Sequence, residues 1–128
     1  MTAGGELDVL LYIAAALTGV WGIAHLFATR GVVAGFGEIS ADNRRIITME
    51  WIVEGVALLS IGALVAAVTV AGSGGAAASA AYAVAIATLL VLAAVSLFTG
   101  FRIAFLPFRL CPFIFAASAL LIGLGAWL

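Results

Sequence analysis

The chain has 128 residues, of which 66% are hydrophobic and 9% charged, and its mean hydropathy is +1.35. A soluble domain carries about 25% charged residues and about half apolar ones, so this chain lacks the polar surface that a water-soluble enzyme or a disordered segment would show. All five basic residues are arginines and net charge is −1, which excludes a nucleic-acid-binding patch and leaves an integral membrane protein.

Four segments are long and apolar enough to cross a hydrocarbon core, which takes about 20 residues in a helix. They run over 9–28, 46–70, 76–98 and 108–128. Backbone polar groups in lipid must find partners within their own segment, and these lengths suit helices rather than barrel strands. The expectation is one all-α domain over 1–128: a polytopic membrane protein with four transmembrane helices in an antiparallel bundle.

The first connection, 29–45, is the long one. It holds Gly31, Gly35 and Gly37 with Val32, Val33, Phe36 and Ile39 between them, and it either lies at the interface or re-enters the bundle. Ser40 or Asp42, with Asn43 also in reach, is placed to cap the second helix. Gly72, Ser73, Gly74 and Gly75 form a minimal turn that makes helices two and three antiparallel neighbours. The third connection, 99–107, ends in Pro107, which suits the first turn of helix four. Pro112 follows and either bends that helix or begins its stable part.

Charge sets the orientation. Arg30, Arg44 and Arg45 fall in connection one, and Arg102 and Arg109 fall in or beside connection three. By the positive-inside rule these connections are cytoplasmic and both termini face outward, in a cell inner (plasma) membrane. No cleaved signal peptide is expected, because no basic stretch precedes the first apolar run. Tyr12, Tyr82 and Trp127 fall where an outer aromatic belt would lie, and Trp51 where an inner one would. Trp21 sits deeper. Gly19, Gly22, Gly55, Gly62, Gly123 and Gly125 permit close helix approach. A faint echo between 26–30 and 97–102 hints at a two-helix repeat, although interface composition produces the same pattern.

Ionisable groups within a bilayer cost about 2.5 kcal/mol or more at its centre, so His25, Glu50 and Glu54 invite explanation. The two glutamates share one face of helix two. Glu54 lies about 12 Å past Ile46 at about 1.5 Å per residue, too deep for its short side chain to reach the headgroups easily. His25 ends a polar stripe that includes Thr18, Trp21 and Gly22, which are candidates for lining a cavity. The expectation is a buried polar cluster in the cytoplasmic half, made of His25, Glu50, Glu54, Arg102 and Arg109, with nothing comparable in the outer half. A plainer reading makes such a cluster a clasp that fixes helix register. One His and one Cys cannot build a two-His-plus-carboxylate or bis-His haem site, so no metal and no cofactor are expected. A quinone or other lipid is the one type of ligand left open. Cys111 has no partner for an intrachain disulfide and reads as a buried thiol.

The chain resembles the DoxX-like family of small four-helix bacterial membrane proteins. The likeness covers roughly the first half: the length, a Gly-rich helix one ending in a His (Gly19, Gly22, His25), and a helix two reading Glu-x-x-x-Glu-Gly-x-x-Leu-Leu (Glu50, Glu54, Gly55, Leu58, Leu59). The resemblance implies a four-helix membrane fold and a functionally mixed group that includes proposed accessory subunits of quinone-linked oxidoreductases.

Three functions follow. The first is an accessory or assembly subunit of a larger membrane complex, with membrane lipids and other membrane subunits as partners. The second is a homo-oligomeric transporter or channel for a small solute, with Glu54 as gate and His25 as its titrating neighbour. The third is a quinone- or lipid-linked membrane enzyme with Glu54 as acid-base. An enzyme is the least favoured, and no catalytic residue is assigned.

Overall fold

The computed structural model of the protein describes residues 3–128. It contains four helices and, among the described residues, no strand: α1 (Ala3–Gly35), α2 (Ala41–Gly72), α3 (Ala76–Thr99) and α4 (Leu106–Trp127). Each is long and apolar enough to cross a membrane. The chain is therefore a multi-pass, all-helical membrane protein.

The main departure from the sequence reading lies in 29–45. This segment neither re-enters the bundle nor lies flat, because α1 continues as helix to Gly35 and α2 begins at Ala41. Glycines lower helix propensity by up to about 1 kcal/mol each, but Thr29 and Val33, one turn apart, are both buried. Packing of that face outweighs local propensity. The chain then reverses over 36–40, with Gly37 at φ 69°. Ser40 caps α2, its side chain accepting from the Asn43 amide at 3.1 Å. At the other end of the chain, α4 runs through the buried Pro112 without ending.

Neighbouring helices run antiparallel. A Cβ added at Gly62 would lie 2.6 Å from the Ala15 carbonyl oxygen and 2.8 Å from the Gly19 amide nitrogen. One at Gly22 would lie 2.7 Å from the Leu59 nitrogen. As the α1 number rises, the α2 number falls. Only glycine lets these two backbones meet, and such close approach adds to the van der Waals packing that helps drive helix association in lipid.

Helix α1 packs on both α2 and α4, and α3 packs mainly on α4. The α2–α3 contact is the smallest of the four. The Gly-rich turn thus joins two antiparallel helices that share little surface. Their main polar link joins Thr69 and Tyr82, whose hydroxyls lie 2.9 Å apart. Thr69 gives its single proton to the Val65 carbonyl at 2.7 Å, so Tyr82 is the donor between them. Tyr82 is accordingly a core residue, 1% exposed, rather than part of a belt.

The core gathers Leu11, Ala14, Leu58, Val65, Leu89, Phe115 and Ile122 in the middle of the bundle and in the half nearest the chain ends. Large apolar side chains such as Val20, Phe27, Val84, Phe98 and Leu120 point outward. Small and polar residues of α1 (Thr18, Gly19, Gly22, His25, Thr29) turn inward. Apolar side chains thus cover the outside as well as filling the core, which fits a bundle solvated by hydrocarbon.

Candidate functional site

His25 and Trp51 form the centre of the arginine-bearing end. Their rings stack with centroids 3.8 Å apart and an angle of 14° between planes. The Trp51 indole nitrogen also donates to the His25 carbonyl oxygen at 2.7 Å. The Thr29 hydroxyl donates to that same oxygen at 3.2 Å. One residue of α1 is therefore held by ring contact and by backbone, which fixes both the imidazole plane and the register of α1 against α2. Two helical spacings prepare this arrangement. Trp21 and His25 are four apart on α1, and Trp51 and Glu54 are three apart on α2, so each pair shares a face.

His25 is 8% exposed. Its Nε2 lies 3.2 Å from Glu54 Oε2, within ion-pair distance but without the alignment of a hydrogen bond, so that nitrogen is buried with no hydrogen-bond partner. The Glu54 side chain is 42% exposed on the outer surface of α2. The contact is thus lopsided. A buried imidazole faces a carboxylate that also looks out of the bundle.

The remaining members of the expected cluster lie elsewhere. Glu50, Arg102 and Arg109 are all exposed. Arg109 donates through Nε to the Ile103 carbonyl at 3.0 Å, pinning the α3–α4 connection to the start of α4. Neither Arg102 nor Arg109 forms an ion pair with a glutamate among the described residues. The structure brings together His25 and Glu54 from the set of five, and it leaves the other three on the surface. The reason is geometric: α2 turns Glu50 away from α1, and the arginines follow the exposed side of their connection.

Two of the three cavity-lining candidates serve packing instead. Thr18 is 1% exposed, and Gly22 lies against Leu59 and Gly55. Trp21 does line a hollow of about 140 Å³, together with His25, Trp51, Phe105, Phe108 and Cys111. A second hollow of about 760 Å³ adjoins it, sharing Ala28, Trp51, Phe105 and Phe108 and extending along Gly31, Gly35 and Phe36. That volume falls within the range of about 300–1,000 Å³ usual for small-molecule sites. Trp51 meets Phe108 edge-on at 5.5 Å, and Phe108 meets Phe105 at 5.9 Å. Trp51, Phe105 and Phe108 are the site residues that sequence reasoning missed. The Trp51–Glu54 spacing was the available signal, but a tryptophan near a helix end reads equally as a belt residue.

Among the described residues no three His, Cys, Asp or Glu side chains converge on a point that could hold a metal. Cys111 is a free thiol, and its Sγ lies 3.4 Å from the Pro107 carbonyl oxygen. No family model, no curated protein and no solved structure matches the chain.

Proposed function

We propose that this chain is a subunit of a larger membrane assembly, docking through the glutamate-bearing face of α2. The supporting observation is the outward display of two carboxylates on one apolar, membrane-length helix. Glu50 is exposed and Glu54 half-exposed on one helix, and among the described residues His25 is the only basic side chain within ion-pair distance of either. An acidic side chain within a membrane segment costs about 2.5–3.5 kcal/mol at the centre. A helix from another subunit, offering a basic or hydrogen-bonding group, removes that cost. Ala57 is exposed one turn farther along that side of α2, and a small residue there allows a second helix to approach closely. The filled core at the opposite end favours this reading over a solute path through the monomer.

In this reading the host is the cell inner membrane, with the arginine-bearing ends of the helices cytoplasmic. The Glu-x-x-x-Glu pattern behind the DoxX-like resemblance falls on the proposed docking face. The test is native mass spectrometry of the gently extracted protein, wild type beside Glu50→Leu. The expected result is a heteromeric mass for the wild type that is lost in the variant, while the variant stays helical. A purely homomeric wild type, or a heteromer indifferent to Glu50→Leu, would overturn the proposal.

A further inference from the structure

Away from the glutamates, the seam between α1 and α2 opens into a hollow of about 600 Å³ near the chain reversal at 36–40. Arg30 of α1 and Arg44 of α2 both line it, and Leu26, Phe27 and Val33 supply an apolar wall. Arg30 lies five residues before the end of α1 and Arg44 three after the start of α2, about 7.5 and about 4.5 Å from the reversal at about 1.5 Å per residue. Two cations from different helices thus stand at nearly one level. Among the described residues no carboxylate lies within ion-pair distance of either, and Asp42 pairs with Arg45 instead, at 3.0 Å. The Arg44 guanidinium donates to the Gly37 carbonyl at 3.1 Å, which fixes it beside the turn and leaves most of its N–H groups free. The two threonine hydroxyls on the wall, of Thr29 and Thr48, are spent on the His25 and Arg44 carbonyls. Positive charge is therefore what the hollow offers a polar ligand.

A second hollow, of about 530 Å³, meets the first at Arg44 and Thr48 and runs along Met49, Ile52 and Val53. Two apolar channels therefore start from one guanidinium, as two acyl chains start from one phosphate. The reversal beyond the arginines is polar, with Glu38, Asp42 and Asn43 exposed, whereas Phe27 on the other side of them is 86% exposed. Water-facing and lipid-facing surfaces thus meet at the level of Arg30 and Arg44. We infer that this site binds one diacyl phospholipid with a net negative head, its phosphodiester held by Arg30 and Arg44, one chain against Leu26 and Phe27 and the other against Met49 and Ile52. Charge complementarity selects the head. Guanidinium groups give phosphate oxygens paired, charge-assisted N–H bonds, and no acidic side chain lines either hollow to hold the ammonium of a zwitterionic head. Glu50 and Glu54 line neither hollow, so a bound lipid leaves the docking carboxylates free.

The test titrates dioleoylphosphatidylglycerol or dioleoylphosphatidylcholine, which share their chains, into the detergent-extracted protein and counts bound lipids by native mass spectrometry. One phosphatidylglycerol per chain is expected, saturating at about tenfold lower concentration than phosphatidylcholine. Arg30→Gln and Arg44→Gln should each weaken it about fivefold, the effect of one basic side chain beside lipid phosphate. Circular dichroism verifies that each variant is folded, and Arg30→Gln keeps the test decisive if loss of the Gly37 bond unfolds Arg44→Gln. Arg102→Gln removes the same charge outside both hollows and should leave the affinity unchanged. Equal affinity for phosphatidylcholine, an equal loss in Arg102→Gln, or adducts that accumulate without saturating would overturn the inference. So would displacement of the lipid by millimolar glycerophosphoglycerol, which carries the head without the chains and would mark the hollow as a site for a soluble phosphodiester.

Discussion

The two ends of the bundle solve the problem of polarity in lipid in opposite ways. Toward the end carrying the chain termini most polar groups are paired off, Ser118 near the middle of α4 being the exception. Tyr82 bonds Thr69, Thr69 bonds the Val65 carbonyl, and Ser73 donates to Asp8 at 2.7 Å. The helices there touch backbone to backbone through Gly62 and Gly125. At the arginine-bearing end, the His25 Nε2 has no hydrogen bond, Glu54 faces partly outward, and hollows stand open beside them. Closed polar pairs cement a structure, whereas open polar groups beside open volume are the usual mark of a binding surface. The comparison separates a closely packed end from an end with open hollows.

The sharpest way to test this contrast is to enlarge a glycine at each end. Gly62→Leu drives a side chain into the Ala15 and Gly19 backbone, which cannot yield as a flexible side chain would. Overpacking of this kind costs about 1–3 kcal/mol, and the upper end is expected, read as a lowered denaturation midpoint in detergent titrations. Gly31→Ala meets nothing within 4 Å and replaces a poor helix former, so a gain of up to about 1 kcal/mol is expected. A loss at Gly31 equal to that at Gly62 would break the comparison.

Trp51→Phe is next in size. It removes the hydrogen bond to the His25 carbonyl and reduces the ring stack. The expected cost is about 2 kcal/mol, from a hydrogen bond of about 1 kcal/mol and an aromatic contact of about 0.5–1.5 kcal/mol. Tyr82→Phe removes one bond between neutral hydroxyls and keeps the ring in place, so about 1 kcal/mol is expected at the opposite end. If Tyr82→Phe proved costlier than Trp51→Phe, the polar link between α2 and α3 would be the stronger clasp. The smallest effect belongs to Asp42→Asn. Its pair with Arg45 is almost fully exposed, and a change below about 0.5 kcal/mol in thermal unfolding is expected.

Much of the fold was legible because hydrophobicity in lipid is a matter of length. Four apolar runs long enough to span could only be helices, and the Gly72–Gly75 turn forced a reversal. Ser40 as a cap was readable because a side-chain oxygen just before a helical run has one obvious donor to accept from. The extent of α1 was not readable. Its last two turns hold glycines at 31 and 35, and only the burial of Thr29 and Val33 keeps them helical. A contact between His25 and a glutamate of α2 was legible from antiparallel pairing, but depth pointed to Glu50, and only the rotation of α2 decided for Glu54. The arginines were misjudged because proximity in sequence to a membrane surface says nothing about the direction a connection turns its side chains.

The sequence by itself determined that the chain crosses a membrane four times as helices, since length and apolar composition leave no other way to satisfy the backbone. Only the tertiary structure decided which helices touch and which polar atoms are left without partners. Those outcomes depend on the rotation of each helix about its own axis. In a chain where nearly every face is apolar, rotation is set by where glycines let backbones meet, and no single helix contains that information.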